Sequence, residues 1–222
     1  MKEKIQETKE FTCLLEIAET LLGPGGCPWD HKQTLHSLQT YLLEETHELL
    51  EAIDEGENHK IVEEIGDLFY SLLFLSKIGE KDNLFNLSEA LHLVGDKLKR
   101  RHPHVFGDVQ ALTPEEVMHN WEAIKKNEKG KEARQSILDG IPPTLPALAR
   151  MQRVIQKMGR THSSLSKVPK TASLNEEELG ERLWELVKQA ESAGMDAESA
   201  CRRASLKYES LFRSQENAPE RI

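Results

Sequence analysis

Apolar residues recur along this chain at the three- and four-residue spacing of helices, and strand-like alternation is scarce. The pattern predicts a first helix from about Ile5 to Leu22, stopped by Gly23-Pro24-Gly25-Gly26. After the loop Cys27-Pro28-Trp29-Asp30-His31, Thr34 is placed to cap a second helix that runs to Gly56. A third helix is predicted from about His59 to Gly79. A fourth starts near Ser88 and ends at Pro103, whose ring cannot continue it. Thr113-Pro114-Glu115-Glu116 has the form of a capping box with proline at the first helical position, so a fifth helix starts there and reaches about Lys129. Another helix, about Leu145 to Met158, follows Pro142-Pro143. The Ser- and Thr-rich stretch from Thr161 to Ser173 reads as a linker. Beyond it, Asn175-Glu176-Glu177-Glu178 caps a helix to about Ala193, and Asp196 opens the last one.

Two acidic pairs turn this bundle into a candidate site. Glu45/Glu48 and Glu64/Asp67 each sit three residues apart, nearly one helical turn, so each pair can point two carboxylates the same way. The apolar stripe of the second helix is Leu38, Leu42, Thr46, Leu49 and Ile53. Glu45 borders it, Glu48 lies one step further round, and Glu44, Glu51, Asp54 and Glu55 fall towards solvent as an ordinary charged face. Glu64 and Asp67 open the apolar run Leu68 to Leu75 and share their side of the third helix with Tyr70, Phe74 and Ile78. Carboxylates entering a core are costly unless something positive meets them. A hard divalent cation with oxygen ligands does so, and Mg²⁺, with Mn²⁺ as the substitute, points to chemistry on a phosphate ester. Four carboxylates overcompensate one such ion, so a second ion or a cationic side chain belongs in the balance.

That cationic partner has a candidate in Asp96-Lys97-Leu98-Lys99-Arg100-Arg101-His102-Pro103-His104, which closes the fourth helix. Compensation of the helix dipole accounts for two or three basic residues in a last turn. The remainder suits triphosphate oxygens, with Lys97, Arg100 and Arg101 as phosphate ligands and Asp96 as a further metal ligand. Trp29 can stack on a base or plug the end of the bundle. The formal net charge is −9, which argues against a general binder of nucleic acid or membrane surfaces. No apolar stretch approaches the ~18 residues needed to span a bilayer, and the odd cysteines Cys13, Cys27 and Cys201 read as free thiols. A cytoplasmic protein is expected. Glu44/His47, Glu89/His92 and Glu116/His119 match the Glu-x-x-His spacing of di-iron bundles, but three such matches are ordinary in a helical chain rich in both residues. There is no Walker loop, no dinucleotide glycine motif and no GxSxG.

The acidic set resembles the EExxE, spacer, ExxD motif of the MazG family of nucleoside triphosphate pyrophosphohydrolases. Here it stands as Glu44-Glu45-x-x-Glu48, fifteen intervening residues, then Glu64-x-x-Asp67. The resemblance continues through Gly25 to Asp30, Arg100 to Asp108, and Leu138 to Pro142, and covers roughly residues 10 to 158. It implies an all-α MazG-like bundle of about four core helices plus extra ones. It further implies a homodimer, Mg²⁺ dependence, and hydrolysis of an NTP or dNTP to monophosphate and pyrophosphate, a housecleaning role in the nucleotide pool. Carried over, Glu45, Glu48, Glu64 and Asp67 hold metal with Asp96 assisting, and Glu45 or Glu48 also orients or deprotonates the attacking water. Lys97, Arg100 and Arg101 meet the phosphates.

Long members of the family carry two such repeats. Glu178-Leu179-Gly180-Glu181 echoes Glu64-Ile65-Gly66-Asp67, but no second EExxE helix is present, Glu181 replaces the usual Asp, and Ser205 stands where an acidic or amide residue is expected. The expected organisation is therefore a catalytic domain over residues 1–160 and, over 161–222, a linker and a non-catalytic helical remnant. The competing reading is a non-catalytic dimeric bundle that binds nucleotides or a partner as a regulator.

Overall fold

The computed structural model describes residues 2–109, 113–126, 128, 136–161 and 174–216, and every regular element among them is helical, as expected. The elements are α1 (Lys2–Leu22), a 3₁₀ turn (Asp30–Lys32), α2 (Leu38–Glu55), α3 (Asn58–Lys81), α4 (Leu87–Arg101), α5 (Pro103–Phe106), α6 (Pro114–Lys126), α7 (Ala147–Met158), α8 (Glu176–Ser192) and α9 (Ala197–Glu216). Beyond Thr161, the expected linker lies outside the described residues. Contacts divide the chain into two compact units, Met1–Lys125 and Lys126–Ile222. No helix among the described residues is long and apolar enough to cross a membrane.

The spine of the first unit is the hairpin of α2 and α3. Gly56 ends α2 with φ +71°, a left-handed conformation that glycine adopts without steric cost, and its N–H donates to Ile53 O at 3.1 Å. Only Gly56 and Glu57 separate the helices, so α3 runs back antiparallel along α2. Leu38 of α2 and Phe74 and Ile78 of α3 form a buried cluster, with Leu22, Leu35, Tyr70 and Leu75 against it. Each such buried side chain contributes about 1.5–3 kcal/mol. α1 lies along α3, where Phe11 meets Phe69 edge-on at 5.9 Å and Lys77 binds Glu19 at 2.8 Å and Glu80 at 2.9 Å.

Local signals place most helix ends. Glu116 N–H donates to Thr113 Oγ1 at 3.2 Å and Thr113 N–H to Glu116 Oε2 at 3.3 Å, the reciprocal pair of a capping box. Asn175 accepts from Glu178 N–H, and Asp196 from Ser199 N–H. α4 stops at Arg101 and the chain restarts at Pro103 as α5. Thr34 behaves differently from the expectation. It and Ser37 bond one another reciprocally at 2.9 and 3.1 Å, closing a separate turn, and α2 begins only at Leu38. The stripe of α2 also shifts near its end, where Ala52 is buried and Ile53 is half exposed. A two-residue connection holds the helix ends close, and a small side chain takes the inner position there.

The second unit packs α7 on α9 around Leu138, Ile141, Val154, Met158 and Phe212. Arg150 of α7 makes a two-pronged ion pair with the buried Glu209 of α9, one arm measuring 3.0 Å, and Ser205 Oγ donates to Glu209 at 3.0 Å. Arg213 binds Asp139 at 2.6 Å, and Lys157 donates to Ile137 O at 2.6 Å, which ties the 136–141 turn to the two helices.

Candidate metal centre

Equal arms of the hairpin bring the acidic residues together. Glu48 lies eight residues before Gly56 and Glu64 seven after Glu57, so at ~1.5 Å per residue they stand about 12 and 10 Å from the turn. Glu45, Glu48 and Glu64 each place a carboxylate oxygen within 4.8 Å of the others. Asp67 stands outside that trio but close enough to act on both Glu45 and Glu64. This is the one group of three potential ligands among the described residues, and it contains carboxylates alone, with no histidine.

The electrostatics of the trio are unfavourable on their own. Burial, followed by repulsion from Glu48, Asp67, Glu64 and Glu44, pushes the Glu45 carboxyl above its ordinary range. Burial and then Glu48, Asp67 and Glu63 do the same to Glu64, and Glu48 lies near enough to share a proton with it. Glu64 Oε2 is shielded from solvent and has no hydrogen-bond partner. A shielded oxygen without a donor, beside carboxylates that repel one another, fits a hard divalent cation, which takes oxygen ligands and removes the repulsion at once. A hydrogen-bonded structural cluster would satisfy that oxygen.

The other expected site residues are distributed around α4 and the 27–33 loop. Asp96 is half exposed, is not among the three mutually close ligands, and pairs with His92 Nε2 at 3.2 Å. Arg101 lies over the Trp121 ring, 5.3 Å from its centroid, an arrangement with no local signal in the sequence. Lys97 is partly buried and Arg100 exposed. His102 and His104 stack obliquely at 5.6 Å, and His104 Nδ1 is shielded without a partner. Trp29 is 52 % exposed, which removes the bundle plug as its role, and its ring meets Tyr41 edge-on at 5.6 Å. Tyr41 carries no chemical signal of its own in the sequence. It sits four residues before Glu45, hence on the same face of α2 one turn away. Among the described residues the loop itself is closely built. Cys27 N–H donates to Leu21 O at 2.9 Å, and a Cβ on Gly26 would meet that same oxygen at 2.2 Å. Asp30 is buried.

Residues 33–106 match the family model of the MazG nucleotide pyrophosphohydrolase domain, a span that holds the trio, Asp67 and the basic end of α4. The chain is 34 % identical over 225 residues to a nucleoside triphosphate pyrophosphohydrolase of Escherichia coli, covering 91 % of this chain and 86 % of that protein. It is 43 % identical over 154 residues to the YabN protein of Bacillus subtilis, of which it spans 31 % of the length. A crystal structure of a mazG-related protein from Thermotoga maritima is 32 % identical, covers 52 % of this chain and superposes with a TM-score of 0.47. The chain belongs to the MazG nucleotide pyrophosphohydrolase family.

Proposed function

We propose that this protein hydrolyses nucleoside triphosphates, NTP or dNTP, between the α and β phosphates, giving the monophosphate and pyrophosphate, as a housecleaning enzyme of the nucleotide pool. The observation that carries the reading is the carboxylate trio on the α2–α3 hairpin with its shielded, unpartnered Glu64 oxygen. Family membership supports the reaction. Glu45, Glu48 and Glu64 would hold the ion, with Asp67 beside them, and Mg²⁺ is the choice for an all-oxygen set, Mn²⁺ its substitute. When bound, such an ion offsets phosphate charge and acidifies a bound water.

The chain's own residues supply the remainder. Water oxygen attacks the α-phosphorus as the bond to the bridging oxygen breaks, and pyrophosphate leaves. Glu48, the exposed member of the trio, takes the proton of that water. Lys97, Arg100 and Arg101 bind phosphate oxygens, and Asp96 orders the turn of α4 that carries them. Trp29 and Tyr41 form an exposed aromatic corner one turn along α2 and face the base. A homodimer and a cytoplasmic location, where triphosphates are abundant, go with this reading.

Product analysis tests it. With Mg²⁺ and a panel of canonical and modified triphosphates, chromatography is expected to show monophosphate and pyrophosphate in equal amounts, and none of either with chelator present. Diphosphate and inorganic phosphate as products, or binding without turnover across the panel, would overturn it, the latter in favour of a regulatory bundle.

A further inference from the structure

Residues 82–86 turn the chain from α3 into α4, and the turn is tied at several points. Asn83 takes φ +55°, a left-handed conformation that asparagine tolerates. Leu84 N–H donates to Gly79 O at 2.9 Å and Asn83 N–H to Glu80 O at 3.0 Å. The Phe85 ring occupies the space over Gly79, where a Cβ would stand 2.4 Å from two of its carbons.

Glu80, on the last turn of α3, closes this arrangement with its side chain. Its Oε1 accepts from Leu87 N–H at 3.0 Å and its Oε2 binds Lys77 Nζ at 2.9 Å. Lys77 also binds Glu19 of α1 at 2.8 Å. Leu87 is the first residue of α4, and its N–H is among those at a helix start that no intrahelical carbonyl reaches. Asn86 accepts from Glu89 N–H at 2.8 Å, so α4 is capped both from its own turn and from α3. Burial works to raise the Glu80 carboxyl, but the Leu87 N–H and Lys77 overcome it and hold the group below its ordinary range. The ionised carboxylate sits at the positive end of α4, where the helix dipole favours it.

Beyond that end, α4 buries none of its residues. At its far end Arg101 lies over Trp121, a contact that a long side chain keeps over a range of helix directions. The direction of α4 is therefore set where it begins. Lys97 and Arg101 follow Leu87 by ten and fourteen residues, about 15 and 21 Å along the axis, so a tilt of about 10° moves them about 2.6 and 3.7 Å. Shifts of that size break hydrogen bonds.

Resting on the reading of Lys97, Arg100 and Arg101 as phosphate ligands, we propose that Glu80, held by Lys77, is a positioning residue for the triphosphate. It fixes the direction of α4 and through it the place of the cations. Glu80 stands sixteen residues beyond Glu64 on α3, about 24 Å along the axis, so it acts without touching the acidic trio.

A double-substitution cycle in the full chain tests this, read by calorimetric binding of inorganic triphosphate with Mg²⁺. Lys97→Gln is expected to weaken binding about tenfold or more, as loss of a hydrogen bond between charged groups does. Glu80→Ala is expected to cost a similar factor. The two together should bind within about twofold of Glu80→Ala alone, because a displaced lysine has nothing left to lose. Mn²⁺ binding by the nucleotide-free Glu80→Ala protein should match wild type. Glu80→Gln keeps an acceptor for Leu87 N–H and should lose less. Losses that multiply, wild-type triphosphate binding by Glu80→Ala, or loss of Mn²⁺ binding in a folded Glu80→Ala protein would each overturn the proposal alone. A wild type that binds no triphosphate, or a Lys97→Gln protein that binds it undiminished, defeats the phosphate reading and the proposal with it. Should Glu80→Ala not fold by circular dichroism, Glu80→Gln takes its place in the cycle, with the same non-additivity in smaller measure.

Discussion

Replacing Glu64 by Gln removes Mg²⁺-dependent pyrophosphate release and, in chelator, raises the melting temperature of the protein at neutral pH. The two effects share one cause. Partners outside a metal's ligand shell cost about 10–100-fold in affinity or activity when lost. A ligand with a shielded, otherwise unpartnered oxygen stands at or beyond the upper end, so the rate should fall at least ~100-fold. Without metal, that same oxygen is a liability. Burial and the neighbouring carboxylates raise the Glu64 pKa above its value of 4.5. A raised folded-state pKa gives a contribution that is present below pH 4.5 and lost as pH rises through the shifted value, above which the wild type carries the full penalty of ionisation. Glutamine cannot ionise and escapes it. Melting curves from pH 4 to 8 in chelator should show a gap that opens with pH, and Mg²⁺ should stabilise the wild type alone. A Glu64→Gln protein that melts below the wild type in chelator at pH 7 would show that the carboxylate is structural.

Arg150→Met should release the second unit. Glu209 is 6 % exposed and Arg150 13 %, and removal of one partner from such a pair costs about 3–5 kcal/mol because a buried charge is left alone. The expected readout is hydrogen exchange in the full chain, with α7 and α9 losing about 10²–10⁴-fold in protection while the α2–α3 hairpin is unchanged. Arg150→Met with Glu209→Met should recover most of the loss, since an apolar pair of similar volume often replaces a buried ion pair without cost. A single substitution that lowers protection less than tenfold would show that the pair contributes little to this unit.

What the sequence discloses is what depends on neighbours a few residues apart. Thr113, Asn175 and Asp196 cap the helices they precede because a cap is set by its own turn. The two acidic pairs are visible because three residues is nearly a helical turn, and their meeting follows from the near-equal arms about Gly56-Glu57. The echo Glu178-Leu179-Gly180-Glu181 likewise stands on a helix, α8, with Glu178 in its first turn. Contacts across long separations leave no such trace. Arg150 and Glu209 are 59 residues apart, Arg213 and Asp139 74, and nothing local in either segment announces the pairing. Ser205 looked only like a gap in a repeat, whereas it is buried and donates to Glu209. Tyr41 carried no signal beyond its place one turn before Glu45, and its partner Trp29 reaches it from a loop. On α3 the apolar run promised burial, yet Phe69 and Leu72 remain about half exposed, because periodicity reports which face is apolar and not what covers it.

Mn²⁺ titration of the nucleotide-free protein, following the loss of the free-ion electron paramagnetic resonance signal, tests whether Glu45, Glu48 and Glu64 form a divalent-cation site. Saturable binding in the wild type that disappears in Glu64→Gln and is displaced by Mg²⁺ is the predicted result. Equal binding by wild type and variant, or none by either, would contradict it.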